Sequence, residues 1–208
     1  GELSALNEER KELTRQGVDK AFDMIENSRL KDDNVLVVYL PECHESIVGI
    51  IAGRIRERYN KPVIVFADGE GCLKGSGRSI EGYNMFEKLS QCKELLSKFG
   101  GHPMAAGLSL PEANVEIFRE KINACCGLTE EDFIPKIKID IPMPVDYPDI
   151  SLVNELSLLE PFGKANVKPQ FADKNLGIDR AVVVGKNQNV LKLTLKTERG
   201  KSISAVYF

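Results

Sequence analysis

The chain has 208 residues, of which 42% are hydrophobic and 28% charged, and its formal net charge is −3. This composition is typical of an ordinary globular protein with one large or two small domains. The slight negative charge argues against a protein that binds nucleic acid over its whole surface, so we expect any phosphate site to be local. No apolar run approaches the roughly 20 residues that span a membrane, the start of the sequence lacks a signal-peptide pattern, and we expect no membrane partner.

The five cysteines are an odd number and include no Cys-x-x-Cys pair. This usage is typical of reduced thiols, and we therefore expect a cytoplasmic protein. The adjacent residues Cys125 and Cys126 follow a helical pattern, which favours burial over redox chemistry.

The chain opens with a helical pattern from about residue 3 to residue 27. One broad apolar face runs along it, formed by Leu6, Leu13, Phe22 and Ile25. A continuous apolar run at residues 35–40 then has the length of a strand that is covered on both faces.

A second helix is predicted from Glu45 to Tyr59, with an inward face at isoleucine positions 47, 50, 51 and 55. Residues 62–67 follow as another buried strand. Strand, helix and strand joined by short loops predict a right-handed crossover onto a parallel neighbour.

Residues 73–79 and 106–110 are predicted as strands that carry two glycine-rich motifs at their ends. Pro111 stands where a further helix begins. The buried side of that helix is predicted to contain Val115, Ile117, Phe118 and Ile122.

The pattern changes from Ile134 onward. Ile137, Ile139 and Ile141 alternate with charged residues and predict a half-buried strand. A short helix is predicted over 151–159, and alternation resumes in the strands 178–184, 190–195 and 203–207. Residues 185–189 are predicted to form a hairpin tip. A small antiparallel barrel of the OB type explains this pattern, with about four strands where an OB fold has five.

The run Phe99-Gly100-Gly101-His102 is the most informative short motif, because it places two glycines before one of only two histidines. Paired glycines allow a sharp turn and a close approach of a ligand to the backbone, and a histidine there can bind an anion or transfer protons. Taken alone, the same run is interpreted more simply as a tight turn with an incidental histidine.

A second glycine-rich segment, Lys74-Gly75-Ser76-Gly77-Arg78-Ser79, has the components of a phosphate cradle. Its glycines would admit an anion to backbone N–H groups, a serine hydroxyl would donate, and Arg78 offers a bidentate fork. The plain alternative is a glycine-rich strand end with a solvated arginine.

Together, K-G-S-G-R-S-I and F-G-G-H-P-M-A-A-G-L resemble the DHH-associated domain of RecJ-type single-strand-specific exonucleases. Three more segments are similar to that family: the helix start at residues 44–52, the strand K-P-V-I-V-F at 61–66 and E-P-F-G at 160–163. The departures are Ser46, where the family usually has glycine, and residues 164–167, where it tends to have a G-N-P run.

The resemblance implies a mixed sheet flanked by helices, followed by a small, incomplete OB-like barrel. The implied domains are a connecting helix at 1–30, a DHH-associated substrate-binding domain at 31–128 and an OB-like nucleic-acid-binding domain at 129–208. His102 would contact phosphate near the scissile bond. The other implied phosphate contacts are Lys74, Gly75, Ser76, Gly77, Arg78, Ser79, Gly100, Gly101 and His44. A histidine that begins a helix is interpreted equally well as a simple cap.

The Asp-His-His motif that holds divalent metals in the family's catalytic half does not occur in this sequence. We therefore expect no cofactor in this chain and manganese or magnesium in the full-length enzyme. The implied partners are single-stranded DNA, the missing DHH domain and a single-strand-binding protein.

The resemblance implies the substrate-binding, C-terminal part of a 5′-to-3′ exonuclease of DNA repair and recombination. Two alternatives stay open: a phosphodiesterase for short oligonucleotides or cyclic dinucleotides, and a binding module without catalysis. In the barrel region, basic residues lie on or near the hairpins, namely Lys186, Lys192, Lys196, Arg199 and Lys201. The candidate stacking aromatics there are Phe171, Tyr207 and Phe208. Such a surface would bind strands without reading their sequence, or would simply be solvated.

Overall fold

The computed structural model describes residues 2–163, 165–185 and 188–208. The chain divides into two compact units, residues 1–135 and 136–208. The division between these units falls after Pro135, because the segment up to Phe133 packs on the first unit. Phe133 packs against a core of that unit, and its carbonyl accepts a hydrogen bond from Asn60 Nδ2 at 2.7 Å. None of the helices in the described residues is long and apolar enough to cross a membrane.

The first unit is built on a mixed five-stranded sheet, which confirms the predicted fold class. Its strands are β1 (Leu36–Tyr39), β2 (Val63–Ala67), β3 (Leu73–Arg78), β4 (Lys98–His102) and β5 (Ala105–Leu110). They are ordered β1-β2-β3-β5-β4, with β1 and β2 parallel and all other pairs antiparallel. The parallel pair is joined through a helix, as the strand–helix–strand pattern predicts.

Four helices flank this sheet: α1 (Glu2–Glu26), α2 (Glu45–Tyr59), α3 (Met85–Ser90) and α4 (Val115–Ala124). One core joins α1 and α2 to a sheet face that includes Leu36, Val38, Val63 and Val65. The other core joins α3 and α4 to the opposite face, through residues such as Ile64, Phe66 and Leu108. Successive strand residues alternate between the two cores, as the pleat requires.

The extent of α2 matches the predicted helix, whereas two of the predicted buried positions are wrong. Ile50 is 39% exposed and Ile117 of α4 is 54% exposed. In α1 the apolar face is buried only towards its end, at Ile25, while Leu6 and Leu13 are exposed. A periodic pattern identifies the helix correctly, but the width of its buried face depends on what packs against it.

The second unit contains a short parallel pair, a helix and a three-stranded antiparallel sheet. Its elements are β6 (Ile141–Pro142), α5 (Ile150–Ser157), β7 (Phe171–Ala172), β8 (Gly177–Val184), β9 (Val190–Lys196) and β10 (Ser202–Tyr207). β6 pairs with β7, and the sheet order is β10-β9-β8. The strand predicted over residues 137–141 is wrong, because only its last residue, Ile141, lies in a strand and Ile137 is 74% exposed. Two residues of the predicted hairpin tip, Lys186 and Asn187, lie outside the described residues.

Candidate nucleic-acid interface

The two glycine-rich motifs lie side by side in the sheet of the first unit. The register pairs Arg78 of β3 with Ala105 of β5, and Ala105 with His102 of β4. Residues paired across antiparallel strands share a face, so Arg78 and His102 lie on the same face. Their Cα atoms are about 10 Å apart, which is two strand spacings. The sheet therefore brings together the residues that both motifs supply.

Two further rows of paired residues on this face run parallel to the row formed by Arg78, Ala105 and His102. Ser76 is paired with Gly107 and Gly107 with Gly100; Lys74 is paired with Ser109 and Ser109 with Lys98. On β2, the same face carries apolar residues that α1 and α2 bury. We name the remaining surface the open face, formed by Lys74, Ser76, Arg78, Lys98, Gly100, His102, Ala105 and Gly107.

Glycines form the floor of the open face. A Cβ atom built on Gly100 or on Gly107 would meet no other atom within 4 Å, and both residues are exposed. A ligand can therefore approach the backbone of β4 and β5 closely, without side chains in between.

Arg78 lies at the border between the open face and α2. Its Nη1 donates to Ser76 Oγ at 2.9 Å and to the Gly77 carbonyl at 2.8 Å. The side chain is half-buried, and within the described part of the chain it forms no ion pair with a carboxylate. A half-buried guanidinium without a carboxylate partner is well suited to bind an anion.

His102 ends β4 and is exposed beside a two-residue hairpin tip, Pro103-Met104. Its Nδ1 accepts a hydrogen bond from the Met104 N–H at 3.3 Å. When Nδ1 accepts, the neutral imidazole carries its proton on Nε2, which is then a donor. The tip is fixed by two backbone bonds of 2.9 Å, from Ser79 N to the Met104 carbonyl and from Met85 N to the Pro103 carbonyl.

His44 is the N-cap of α2, which agrees with the interpretation of this histidine as a simple helix cap. Its Nδ1 accepts from the Ser46 N–H at 3.2 Å, and the Ser46 hydroxyl lies 2.8 Å from the same atom. Nδ1 therefore acts as an acceptor in both histidines, which leaves Nε2 as the donor in the neutral form. Where the family usually has glycine, Ser46 adds a direct contact with the capping imidazole.

A cleft of about 410 Å³ lies between the start of α2 and β3, and it contains both His44 and Lys74. Carboxylates also line this cleft, among them Asp68, whose Oδ1 accepts from the Tyr39 hydroxyl at 2.5 Å. That hydrogen bond raises the pKa of Tyr39 to about 12. Burial raises the pKa of the Cys43 thiol in the same cleft, which argues against a nucleophilic cysteine there.

The structure places several predicted site residues away from the open face. Gly75 and Gly77 lie on the other side of β3, where added Cβ atoms would lie 2.5 Å from the Phe66 ring and 3.2 Å from the Met85 side chain. These two glycines make room for the core. They do not form a cradle of free N–H groups, because β3 lies between two strands that use its backbone.

Ser79 and Gly101 likewise have structural positions. The Ser79 side chain is buried, and its hydroxyl donates to the Tyr83 carbonyl at 2.6 Å. Gly101 has φ +152°, and a Cβ there would lie 2.4 Å from the Ala105 carbonyl oxygen. We therefore leave both residues out of the candidate site.

Sequence reasoning misses three members of the open face, Lys98, Ala105 and Gly107. Gly107 lies within the A-A-G-L segment, so its position in the motif is a usable signal. Lys98 has none, because only the pairing of β4 with Ser109 of β5 reveals the face on which it lies.

In the second unit, the two basic candidates in β9 and the aromatic candidate in β10 lie on different faces of the sheet. Lys192 and Lys196 alternate with leucines along β9, and Lys192 is paired with Val206 of β10. Tyr207, the next residue, faces the other way. Phe171 is half-buried in β7, Lys186 lies outside the described residues, and Arg199 and Lys201 follow the end of β9. Phe208 follows the end of β10 and is 88% exposed.

No group of three or more histidine, cysteine or acidic side chains with a geometry for a metal ion occurs in residues 2–163, 165–185 and 188–208. The described residues therefore do not fit the manganese or magnesium site that the family resemblance implies. Their chemistry is that of anion binding, through a guanidinium, an imidazole and two ammonium groups.

Comparison with known protein families gives two matches along the chain. Residues 32–128 match the DHHA1 domain, and residues 139–208 match the RecJ OB domain. The chain is 37% identical over 201 residues to the single-stranded-DNA-specific exonuclease RecJ of Bacillus subtilis, covering 95% of this chain and 25% of that protein. It is 44% identical over 128 residues to the enzyme of the same name from Escherichia coli, covering 58% of this chain and 22% of that protein.

Solved structures give the same relationship. The crystal structure of RecJ in complex with Mn²⁺ from Thermus thermophilus matches with a TM-score of 0.80 and 29% identity, over 99% of this chain and 30% of that one. A structure of exonuclease RecJ bound to manganese matches with a TM-score of 0.56 and 30% identity, over 64% of this chain and 32% of that one. The chain spans about a quarter of the curated relatives and about a third of the solved chains.

Proposed function

Because this chain belongs to the RecJ family, we propose that it is the DNA-holding part of a 5′-to-3′ single-strand-specific exonuclease of DNA repair and recombination. The observation that carries the proposal is Arg78, which is half-buried, bonded to Ser76, without a carboxylate partner in the described residues and placed two strands from His102. This arrangement concentrates positive charge locally on a chain whose net charge is −3.

Each polar group of the open face has a distinct proposed task. The Nε and Nη2 donors of Arg78 bind a phosphate of the DNA strand, and Ser76 holds the guanidinium in place. The Nε2–H of His102 donates to a phosphate oxygen near the scissile bond. Lys74 and Lys98 attract neighbouring phosphates. All of these contacts involve the DNA backbone, so binding would be independent of sequence and sensitive to salt.

We propose that the metal-dependent step takes place in a catalytic half that this chain does not contain. Related RecJ structures were solved in complex with Mg²⁺ or Mn²⁺. The role of this chain would be to bind the strand and to orient its phosphates. A single-strand-binding protein is a further proposed partner, on family grounds alone.

The comparisons give no support to the alternative of an oligonucleotide or cyclic-dinucleotide phosphodiesterase. Residues 139–208 match the RecJ OB domain, which a dinucleotide substrate would not need. The binding module without catalysis describes the behaviour that we expect of this chain in isolation.

The proposal is tested by measuring the affinity of the purified chain for a labelled single strand of mixed sequence and for the matching duplex. We expect preference for the single strand, and no degradation of it when manganese or magnesium is added. Arg78→Ala should weaken binding about 10- to 100-fold, the value of a charge-assisted hydrogen bond.

The control is Arg54→Ala, because Arg54 is exposed on α2 and pairs with Glu57 at 3.1 Å. This variant should bind like the parent chain. Equal affinity of a folded Arg78→Ala variant and the parent chain would overturn the proposal, and so would degradation of DNA by rigorously purified chain.

A further inference from the structure

Gly49 of α2 faces Arg78, which we assign to phosphate binding, and Ser76, which holds the Arg78 guanidinium in place. A Cβ atom built on Gly49 would lie 2.8 Å from Arg78 Nη2 and 3.1 Å from Ser76 Oγ. Both distances are shorter than an ordinary van der Waals contact. The guanidinium therefore rests directly on the backbone of α2, at a point where the helix has no side chain to hold it off.

The position of Nη2 matters because the other terminal nitrogen is already occupied. Nη1 donates to Ser76 and to the Gly77 carbonyl. Among the described residues, neither Nη2 nor Nε of Arg78 has a hydrogen-bond partner. These two nitrogens form the side-on edge of the guanidinium, which is one of the two edges that can bind a phosphate with two parallel hydrogen bonds.

We propose that Gly49 is a positioning residue for phosphate binding: its missing side chain sets where the Nε–Nη2 edge of Arg78 lies. This inference rests on the proposed function, because it assumes that Arg78 binds DNA phosphate. A methyl group at position 49 would displace Nη2, tilt the free edge and weaken the contact between Nη1 and Ser76.

The contacts of Gly49 distinguish this role from a purely structural one. The atom that a new methyl group would meet first is the far end of a flexible side chain, so the fold can accommodate it by moving the guanidinium. Alanine also favours a helix over glycine. Gly17 of α1 is a contrasting case, since its Cβ would lie 2.6 Å from Ile51 Cδ1, and Ile51 is buried in the core.

The same helix offers a matched control in Gly53, one turn further on. A Cβ atom there would meet nothing within 4 Å. Both Gly49→Ala and Gly53→Ala should unfold at the temperature of the parent chain or slightly above it. Gly49→Ala should weaken binding of a single strand about tenfold. This is the lower end of the loss expected for removing a charge-assisted hydrogen bond. Gly53→Ala should leave the affinity unchanged.

A double-mutant cycle then tests whether the effect passes through Arg78. With Arg78→Ala already present, Gly49→Ala should change the affinity no further. An equal loss in both backgrounds would overturn the positioning role, and so would an unchanged affinity of Gly49→Ala in the parent chain. If Gly49→Ala failed to fold, its contact would be structural and the inference would be wrong. If Arg78→Ala alone had no effect on binding, the proposed function itself would fail.

Discussion

Two adjacent glycines of β4 should respond in opposite ways to the same substitution. Gly101 has φ +152°, and a Cβ there would lie 2.4 Å from the Ala105 carbonyl oxygen and 2.6 Å from Ala106 Cα. Both of these are backbone atoms, so no side-chain rotation relieves the contact. Gly100 faces open space, with nothing within 4 Å of its Cβ.

The size of the difference follows from this geometry. For Gly101→Ala, an unfavourable backbone conformation costs about 1–3 kcal/mol and overpacking against β5 about 1–3 kcal/mol more. The sum of about 2–6 kcal/mol corresponds to a fall in Tm of roughly 5–20 °C for a unit of this size. Gly100→Ala should instead be neutral or stabilise by up to about 1 kcal/mol, because alanine restricts the unfolded chain.

The assay is thermal and urea unfolding of the two variants and the parent chain, followed by far-UV circular dichroism. A Gly101→Ala variant as stable as the parent chain would refute the reasoning, because the hairpin would then have room that the structure denies it. Equal destabilisation of both variants would refute it as well, since the paired glycines would then have one common role.

Three further predictions follow from single side chains. In the complete enzyme, His102→Ala should slow single-turnover cleavage about 100- to 1000-fold, the effect of losing a transition-state donor, with little change in affinity for the strand. Equal losses in cleavage rate and in affinity would make His102 a simple anchor. Tyr83→Phe should raise the unfolding free energy by about 1–3 kcal/mol, because the buried Tyr83 hydroxyl has no hydrogen-bond partner in the described residues; an unchanged urea midpoint would contradict this. Burial raises the pKa of Cys92 from 9.0 to about 12. The neutral thiol therefore contributes its full stability below pH 9, and this contribution is lost as the pH rises towards 12, because the thiol then ionises in the unfolded chain first. Cys92→Ala should therefore lessen the alkaline loss of stability seen in urea unfolding, and an identical pH profile would contradict the assignment.

The parts of the fold that local patterns predict well are those with strong periodicity and clear ends. The helix Glu45–Tyr59 is predicted at its observed length, because an apolar face begins directly after a capping residue, His44. The strand β2 is predicted from a continuous apolar run, and burial of all five of its residues explains that run.

The glycine–histidine motif shows where sequence reasoning stops. Paired glycines predict a turn, yet Gly100 and Gly101 lie inside a strand and the turn is Pro103-Met104. Strand alternation gives the two glycines different surroundings, and a sequence motif does not show on which side each residue lies. Ser79 is a sequence candidate for its hydroxyl, but burial and the bond to the Tyr83 carbonyl depend on tertiary contacts.

The isoleucines before β6 are mispredicted for a related reason. Alternating apolar and charged residues predict a strand, but a strand also needs a neighbour to pair with. In the described residues only Ile141 and Pro142 find one, at Phe171 and Ala172. Pairing partners lie far away in sequence, and a local pattern does not reveal them.

The two backbone bonds that hold the tip Pro103-Met104 have a consequence for how DNA would enter. Ser79 follows Arg78 directly, and Met104 follows His102 by two residues, so the bond from Ser79 N joins the end of β3 to the tip that follows β4. The bond from Met85 N, at the start of α3, holds the same tip in place. Arg78 and His102 therefore stand on one preorganised frame, and binding would order few additional residues. The part of the entropic loss that comes from ordering the protein would be small, and the association rate would depend on diffusion and charge attraction rather than on a slow closing step of the protein.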